Sequence, residues 1–144
     1  MSDRRRVFFE LKQDESGYPP VATESLWAIG TEKPSEYIVD NIPFFERVAT
    51  IGDKISVEEV AGRLWYRATI GRTSHSLIRV VGLDDKDPTT TGMALEQMGC
   101  SWELDSAHHL IAVHVPREVL VRAQTLLAEH ATFGEIDYEE AILR

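Results

Sequence analysis

A chain of 144 residues, 43% hydrophobic and with a formal net charge of −9, can bury one ordinary core or two small ones that share cover. That balance excludes wholesale disorder, and no apolar run approaches the ~20 residues that a membrane span needs. The single cysteine, Cys100, excludes an internal disulfide and suits a reducing cytoplasm, the expected location.

Arg4-Arg5-Arg6 resembles the start of a signal peptide, but Glu10 and Lys12 follow and no apolar stretch does. Val7-Phe8-Phe9-Glu10-Leu11 instead reads as a first strand. Asp14-Glu15-Ser16-Gly17 turns the chain, and Tyr18-Pro19-Pro20 keeps it extended. Glu24–Ile29 is the second strand and Tyr37–Val39 the third, broken by Asp40-Asn41-Ile42-Pro43. Phe44-Phe45 follows as an expected aromatic plug. Ile55–Val60 and Leu64–Ile70 pair through the short loop Ala61-Gly62-Arg63. Short strands at this spacing predict a small barrel or rolled antiparallel sheet.

Ser74–Gly82 is the pivot. Ile78 and Val80 share one face at period two, and Leu77, Arg79 and Val81 share the other. The stretch therefore suits the last barrel strand, the first strand of a second unit, or both. Asp87 and Pro88 then open a helix carrying Ala94, Leu95 and Met98 inward, ended by Gly99. Ser101–Leu104 and His109–Val115 are strands around an Asp105-Ser106-Ala107 turn. Pro116 opens a second helix with a buried stripe of Val119, Leu120, Ala123, Leu126 and Leu127. Gly134 ends it, and Ile136–Leu143 closes the chain as a strand.

The order β-α-β-β-α-β from Ser74 onward is the ferredoxin-like, split βαβ arrangement. Right-handed crossovers put Leu77–Val81 beside Leu110–Val115 in the centre, with the closing strand next to the former. Ile111, Val113 and Val115 then face the helices, and Leu110, Ala112 and His114 face away. The predicted fold is α+β: a β-rich subdomain over 1–73 packed on a ferredoxin-like subdomain over 74–144, in one compact body.

Three stretches carry a family likeness: Gly17-Tyr18-Pro19-Pro20-Val21 with Glu24-Ser25-Leu26-Trp27, Asp40-Asn41-Ile42-Pro43-Phe44-Phe45, and Ser74-His75-Ser76 with Ile78-Arg79-Val80. Together they resemble the bacterial family known as domain of unknown function 4265. The likeness continues more weakly through Gly99-Cys100-Ser101-Trp102-Glu103 and so spans nearly the whole chain. Ser74 departs from that pattern, which has a glycine before the histidine. The resemblance implies a bacterial, cytosolic, single-domain protein and carries no activity.

The chemistry must then be sought residue by residue. His108 and His114 lie six apart, roughly 20 Å along a strand at about 3.3 Å per residue, and no HExxH or paired-cysteine spacing occurs. No metal or other cofactor is expected. Ser74-His75-Ser76 sets hydroxyls beside an imidazole, but strand neighbours point to opposite faces and no GxSxG elbow presents the serine. His75 with Arg79, or with Asp40 and Asn41, remains the best polar cluster and the only candidate catalytic group. Cys100 has no basic neighbour in sequence and is expected in the core. Trp27, Trp65, Tyr66 and Trp102 alternate with polar residues and are expected there too.

Charge is the remaining signal. Residues 1–82 hold 12 acidic and 11 basic side chains, and residues 83–144 hold 12 and 4. An acidic second half without aromatics at Leu110, Ala112 and His114 argues against a nucleic-acid reader of the RRM type, and nucleic acid is not an expected partner. Such a surface favours cationic partners, although acidity also serves solubility alone. The leading reading is a non-enzymatic protein whose Asp84, Asp85, Asp87, Glu135, Asp137, Glu139 and Glu140 engage a basic protein, in the manner of an immunity or antitoxin-type inhibitor of a toxin. The alternatives are a small-molecule-binding regulatory module, or an enzyme using the His75 region. Oligomeric state is open.

Overall fold

The structure is a computed structural model and describes residues 3–144. It divides into two units, one ending at Thr73 and one beginning at Ser74.

The first unit is a closed barrel of β1 (Arg4–Glu10), β2 (Thr23–Gly30), β3 (Glu36–Val39), β4 (Lys54–Val60) and β5 (Arg63–Gly71). Successive strands pair antiparallel, and β1 closes on β5 in parallel at Val7–Leu64 and Phe8–Trp65. Strict alternation fills the interior with Val7, Phe9, Leu26, Ala28, Tyr37, Val39, Ile55, Val57 and Leu64. Two register shifts in the β4–β5 pair supply the bend that closure needs. Ala61 and Gly62 both adopt left-handed backbone (φ 52° and 82°), the two-residue turn whose twist matches a hairpin. The turn after β1 is fixed by the Asp14 carboxylate, which accepts from the Ser16 hydroxyl (2.6 Å) and the amides of Ser16 and Tyr18. The Ser16 hydroxyl, and after it the Tyr18 amide, hold that carboxyl below its ordinary value. The Tyr18–Pro19 peptide is cis.

The second unit places β6 (Ser76–Gly82), β7 (Ser101–Asp105), β8 (Leu110–Val115) and β9 (Ile136–Ile142) in one antiparallel sheet, in the order β7-β8-β6-β9. Helices α1 (Thr89–Gln97) and α2 (Leu120–Thr132) join β6 to β7 and β8 to β9, as in the ferredoxin-like order. The pivot stretch thus belongs to the second sheet, at its centre. Ile78, Val80, Ile111, Val113 and Val115 share a core with Leu95, Ala123 and Leu127, the helix-facing set expected from sequence.

Five local expectations change. The Asp105–Ala107 turn is a 3-10 turn over Ser106–His108, and His109 is left-handed (φ 51°), so β8 begins at Leu110. Pro116 leads into a 3-10 turn over Arg117–Val119, and regular α-helix starts only at Leu120. Phe44 and Phe45 are partly buried and do not plug the barrel; the buried residues of their loop are Ile42, Pro43, Glu46, Ala49, Thr50 and Asp53. Trp27 and Trp65 point out of the barrel, whereas Tyr66 packs on its core and Trp102 on that of the second unit. The inward registers of β2 and β5 are taken by Leu26, Ala28 and Leu64, which leaves both tryptophans outside. At the start of α1 the cap position falls one residue later than expected: Pro88 is the N-cap and Thr89 the first helical residue, and Asp87, just before them, accepts from the Thr89 amide at 2.9 Å.

Candidate functional site

The catalytic candidate sits just before β6. His75 Nδ1 lies 2.6 Å from His114 Nε2, and the two rings are 4.5 Å apart. One imidazole donates to the other. Ser76 is fully buried, and its hydroxyl accepts from the Arg144 amide at 2.9 Å. Arg79, 2% exposed, reaches the Glu139 carboxylate at 3.3 Å across the β6–β9 pair. Asp40 takes the Arg4 guanidinium at 3.1 Å, and Asn41 Oδ1 accepts from the Trp27 amide at 2.6 Å. The partners of His75, Ser76, Arg79, Asp40 and Asn41 are thus mostly structural ones. His108 pairs with Asp105 at 2.7 Å, three residues away in sequence. Among the described residues no three His, Cys, Asp or Glu side chains gather as metal ligands. Cys100 is buried, and loss of water around it pushes its thiol up to about 11, so it stays protonated and inert at neutral pH.

Sequence reasoning missed the polar construction of the β3–β4 loop. The Glu24 carboxylate, 9% exposed, accepts from three successive amides: Phe44 (2.7 Å), Phe45 (3.1 Å) and Glu46 (2.9 Å). Glu46 in turn accepts from Val48 and Ala49, and Asp53 from Thr50 and Thr73. A loop interrupted by Pro43 has no ladder to satisfy its amides, so buried carboxylates do it. The signal was present: Leu26 and Ala28 face inward, and period two puts Glu24 on that same inner row.

The acidic residues divide. β9 registers Ile136 against Gly82 and Asp137 against Val81, and the Leu83 amide donates to the Glu135 carbonyl at 3.0 Å. Asp84, Asp85, Glu135 and Asp137 therefore lie exposed at one end of the sheet. The Leu83–Lys86 turn there is tight, with a bond from the Lys86 amide to the Leu83 carbonyl (2.9 Å) and left-handed backbone at both aspartates. Gly82 is required: a Cβ on it would stand 1.7 Å from the Lys86 carbonyl oxygen. Two apolar side chains flank this end, Leu83 at 37% exposure and Phe133 at 78%. Asp87 accepts from the Thr89 amide just before α1, Glu139 holds Arg79, and Glu140 accepts from Gln124 at 2.6 Å.

A cavity of about 530 Å³ opens at the barrel mouth, floored by Tyr37, Val57 and Leu64. Arg5 reaches Glu59 there at 3.2 Å, and that bond raises the guanidinium above its ordinary value.

No helix of the described residues is long and apolar enough to cross a membrane. The sequence model of a family described as "Domain of unknown function (DUF4265)" matches residues 24–138. Among solved structures, a hypothetical protein from Neisseria gonorrhoeae is similar at a TM-score of 0.82 and 18% identity, over 98% of this chain and 96% of that one. At that identity the likeness is one of fold. No curated protein matches.

Proposed function

The chain belongs to the DUF4265 family, and from that premise we propose that it is a non-enzymatic, cytoplasmic binding protein that engages a basic protein partner. The contact surface is the end of the second sheet. The observation that carries the reading is the Leu83–Glu135 bond, which joins two acidic segments around exposed Leu83 and Phe133. An apolar anchor inside a charged rim is the usual anatomy of a protein contact: the rim sets on-rate, the anchor sets residence time. Asp84, Asp85, Glu135 and Asp137 are the rim; Asp87, Glu139 and Glu140 serve the fold. An immunity or antitoxin-type inhibitor has this character, and that comparison is one of chemistry.

The test is affinity capture from the native bacterium at low and high salt, followed by association kinetics with the protein recovered. Replacing the four rim carboxylates by their amides should slow association and flatten its salt dependence, and Phe133→Ser should speed dissociation. Equal rates and slopes for wild type and variants would leave the acidity to solubility alone. A second reading, a small-molecule module, has the barrel-mouth cavity in its favour. A ligand that raises the melting temperature of wild type but not of Arg5→Ala would support it.

A further inference from the structure

The tryptophans that left the barrel core sit in a particular company. Phe8, Trp27 and Trp65 are half-exposed on three adjacent strands, and Phe8 faces Trp65 with ring centroids 5.7 Å apart. Arg4 and Arg6 each hold a guanidinium 4.5 Å from the Trp27 ring centre, and Arg63 holds one 4.7 Å from that of Phe8. Cation–π pairing stiffens such a surface and is a sufficient structural role for Arg4, whose charge Asp40 also balances. It does not balance Arg6 or Arg63. Arg6 bonds the Ser25 hydroxyl at 2.9 Å, and among the described residues neither arginine meets a carboxylate. Two uncompensated guanidinium groups thus lie among partly buried rings on the outer face of a small barrel.

We propose that this face binds single-stranded nucleic acid, with phosphates on Arg6 and Arg63 and bases stacked against Phe8 and Trp65. The charges alone would accept any anion. The rings discriminate, because unpaired bases offer flat faces to stack on whereas an acidic peptide offers none. Leu110, Ala112 and His114, the positions without the aromatics of a nucleic-acid reader, belong to the other unit. The barrel face has aromatics on neighbouring strands with Arg4, Arg6 and Arg63 over them; its carboxylates are Glu58, which stands opposite Trp65 and is held by Arg67, and Glu10 beside it. The net charge of −9 opposes the approach of a polyanion, so binding is weak and confined to low salt.

Fluorescence anisotropy of a labelled oligothymidylate of about ten nucleotides, titrated with the full chain over a salt series, tests this. Two phosphate contacts predict a slope of log affinity on log salt of about −1.4 for a single strand. Arg6→Gln with Arg63→Gln should remove most of that slope. Trp65→Leu should weaken binding about tenfold and leave the slope unchanged. Circular dichroism confirms that each variant is folded, and the exposed arginine pair serves if Trp65→Leu is not. Three results would each overturn the proposal. They are no binding at the lowest salt, equal binding of Trp65→Leu, and equal binding of a polyglutamate peptide, which would point to an acidic protein instead.

Discussion

The two units are almost equal in length and hold the same number of carboxylates, 12 in residues 1–73 and 12 in residues 74–144. They differ in basic residues, 10 against 5, so the second unit is better described as poor in bases than as rich in acids. They also differ in where the charge goes. In the barrel Glu24, Glu46 and Asp53 are buried and bonded to backbone, while arginines line the outside. In the second unit the buried charge is Arg79, and the carboxylates lie at the surface or partly so. Net charge by halves therefore hides a difference in placement: among the described residues the buried carboxylates all belong to the barrel unit, and the second unit keeps its own at or near the surface.

The largest effect should come from separating the units. We propose that they fold cooperatively, since Leu77, Val81, Leu110 and Ala112 would give a lone second unit an apolar sheet face. Limited proteolysis should yield no stable fragment ending near residue 73, and a soluble, folded 74–144 fragment would break the idea. Next comes Glu24→Ala, which strips the acceptor from three buried amides. It should cost about 3 kcal/mol or more, a fall in melting temperature of roughly 10 °C. Glu139→Gln weakens the hold on buried Arg79. Its carboxylate is 31% exposed, so water offsets part of the loss and about 2 kcal/mol is expected. If Glu139→Gln cost more than Glu24→Ala in chemical denaturation, the buried acids of the barrel would not be its main polar support.

Gly92→Ala probes the apolar side of the second unit. Its Cβ would meet the Trp102 ring at 2.8 and 2.9 Å and Ile111 Cδ1 at 3.2 Å, an overpacking worth about 1–3 kcal/mol. The smallest effect is a pH effect at Cys100. Between pH 9 and about 11 the native thiol keeps its proton while the unfolded chain releases it, so stability falls as pH rises through that window. Equilibrium unfolding of wild type and Cys100→Ala across this range should show the extra slope in wild type alone. Below pH 9 the two slopes should coincide.

Much of the fold was legible because its periods are clean. The inner row of the barrel, the Ile78/Val80 face and the α2 stripe each repeat an apolar residue at the spacing of their element. The tryptophans misled because size and apolarity argue for burial, whereas the register of Leu26, Ala28 and Leu64 decides it. Of the candidate sites, sequence could name the acidic residues but could not sort them. The Arg79–Glu139 bond depends on a pairing between positions 60 apart, and the Leu83–Glu135 bond on one 52 apart. Likewise, the bonds from the Phe44 and Phe45 amides to Glu24, at the end of the family-like stretch, join positions 20 and 21 apart.

The closing of the barrel has a bearing on the acids of the other unit. A closed ring of strands presents no free row of amides and carbonyls, so its outside can carry arginine and tryptophan without inviting a neighbour to pair. Among the described residues the second sheet ends at β7 and β9, each paired with a strand of that sheet on one side. Those two outermost strands carry Glu103 and Asp105, and Asp137, Glu139 and Glu140. Two copies approaching strand to strand would bring like charges together. On this view the shortage of bases also guards against growth by edge pairing, and amide replacement on β9 should be watched for fibrous assembly as well as for lost binding.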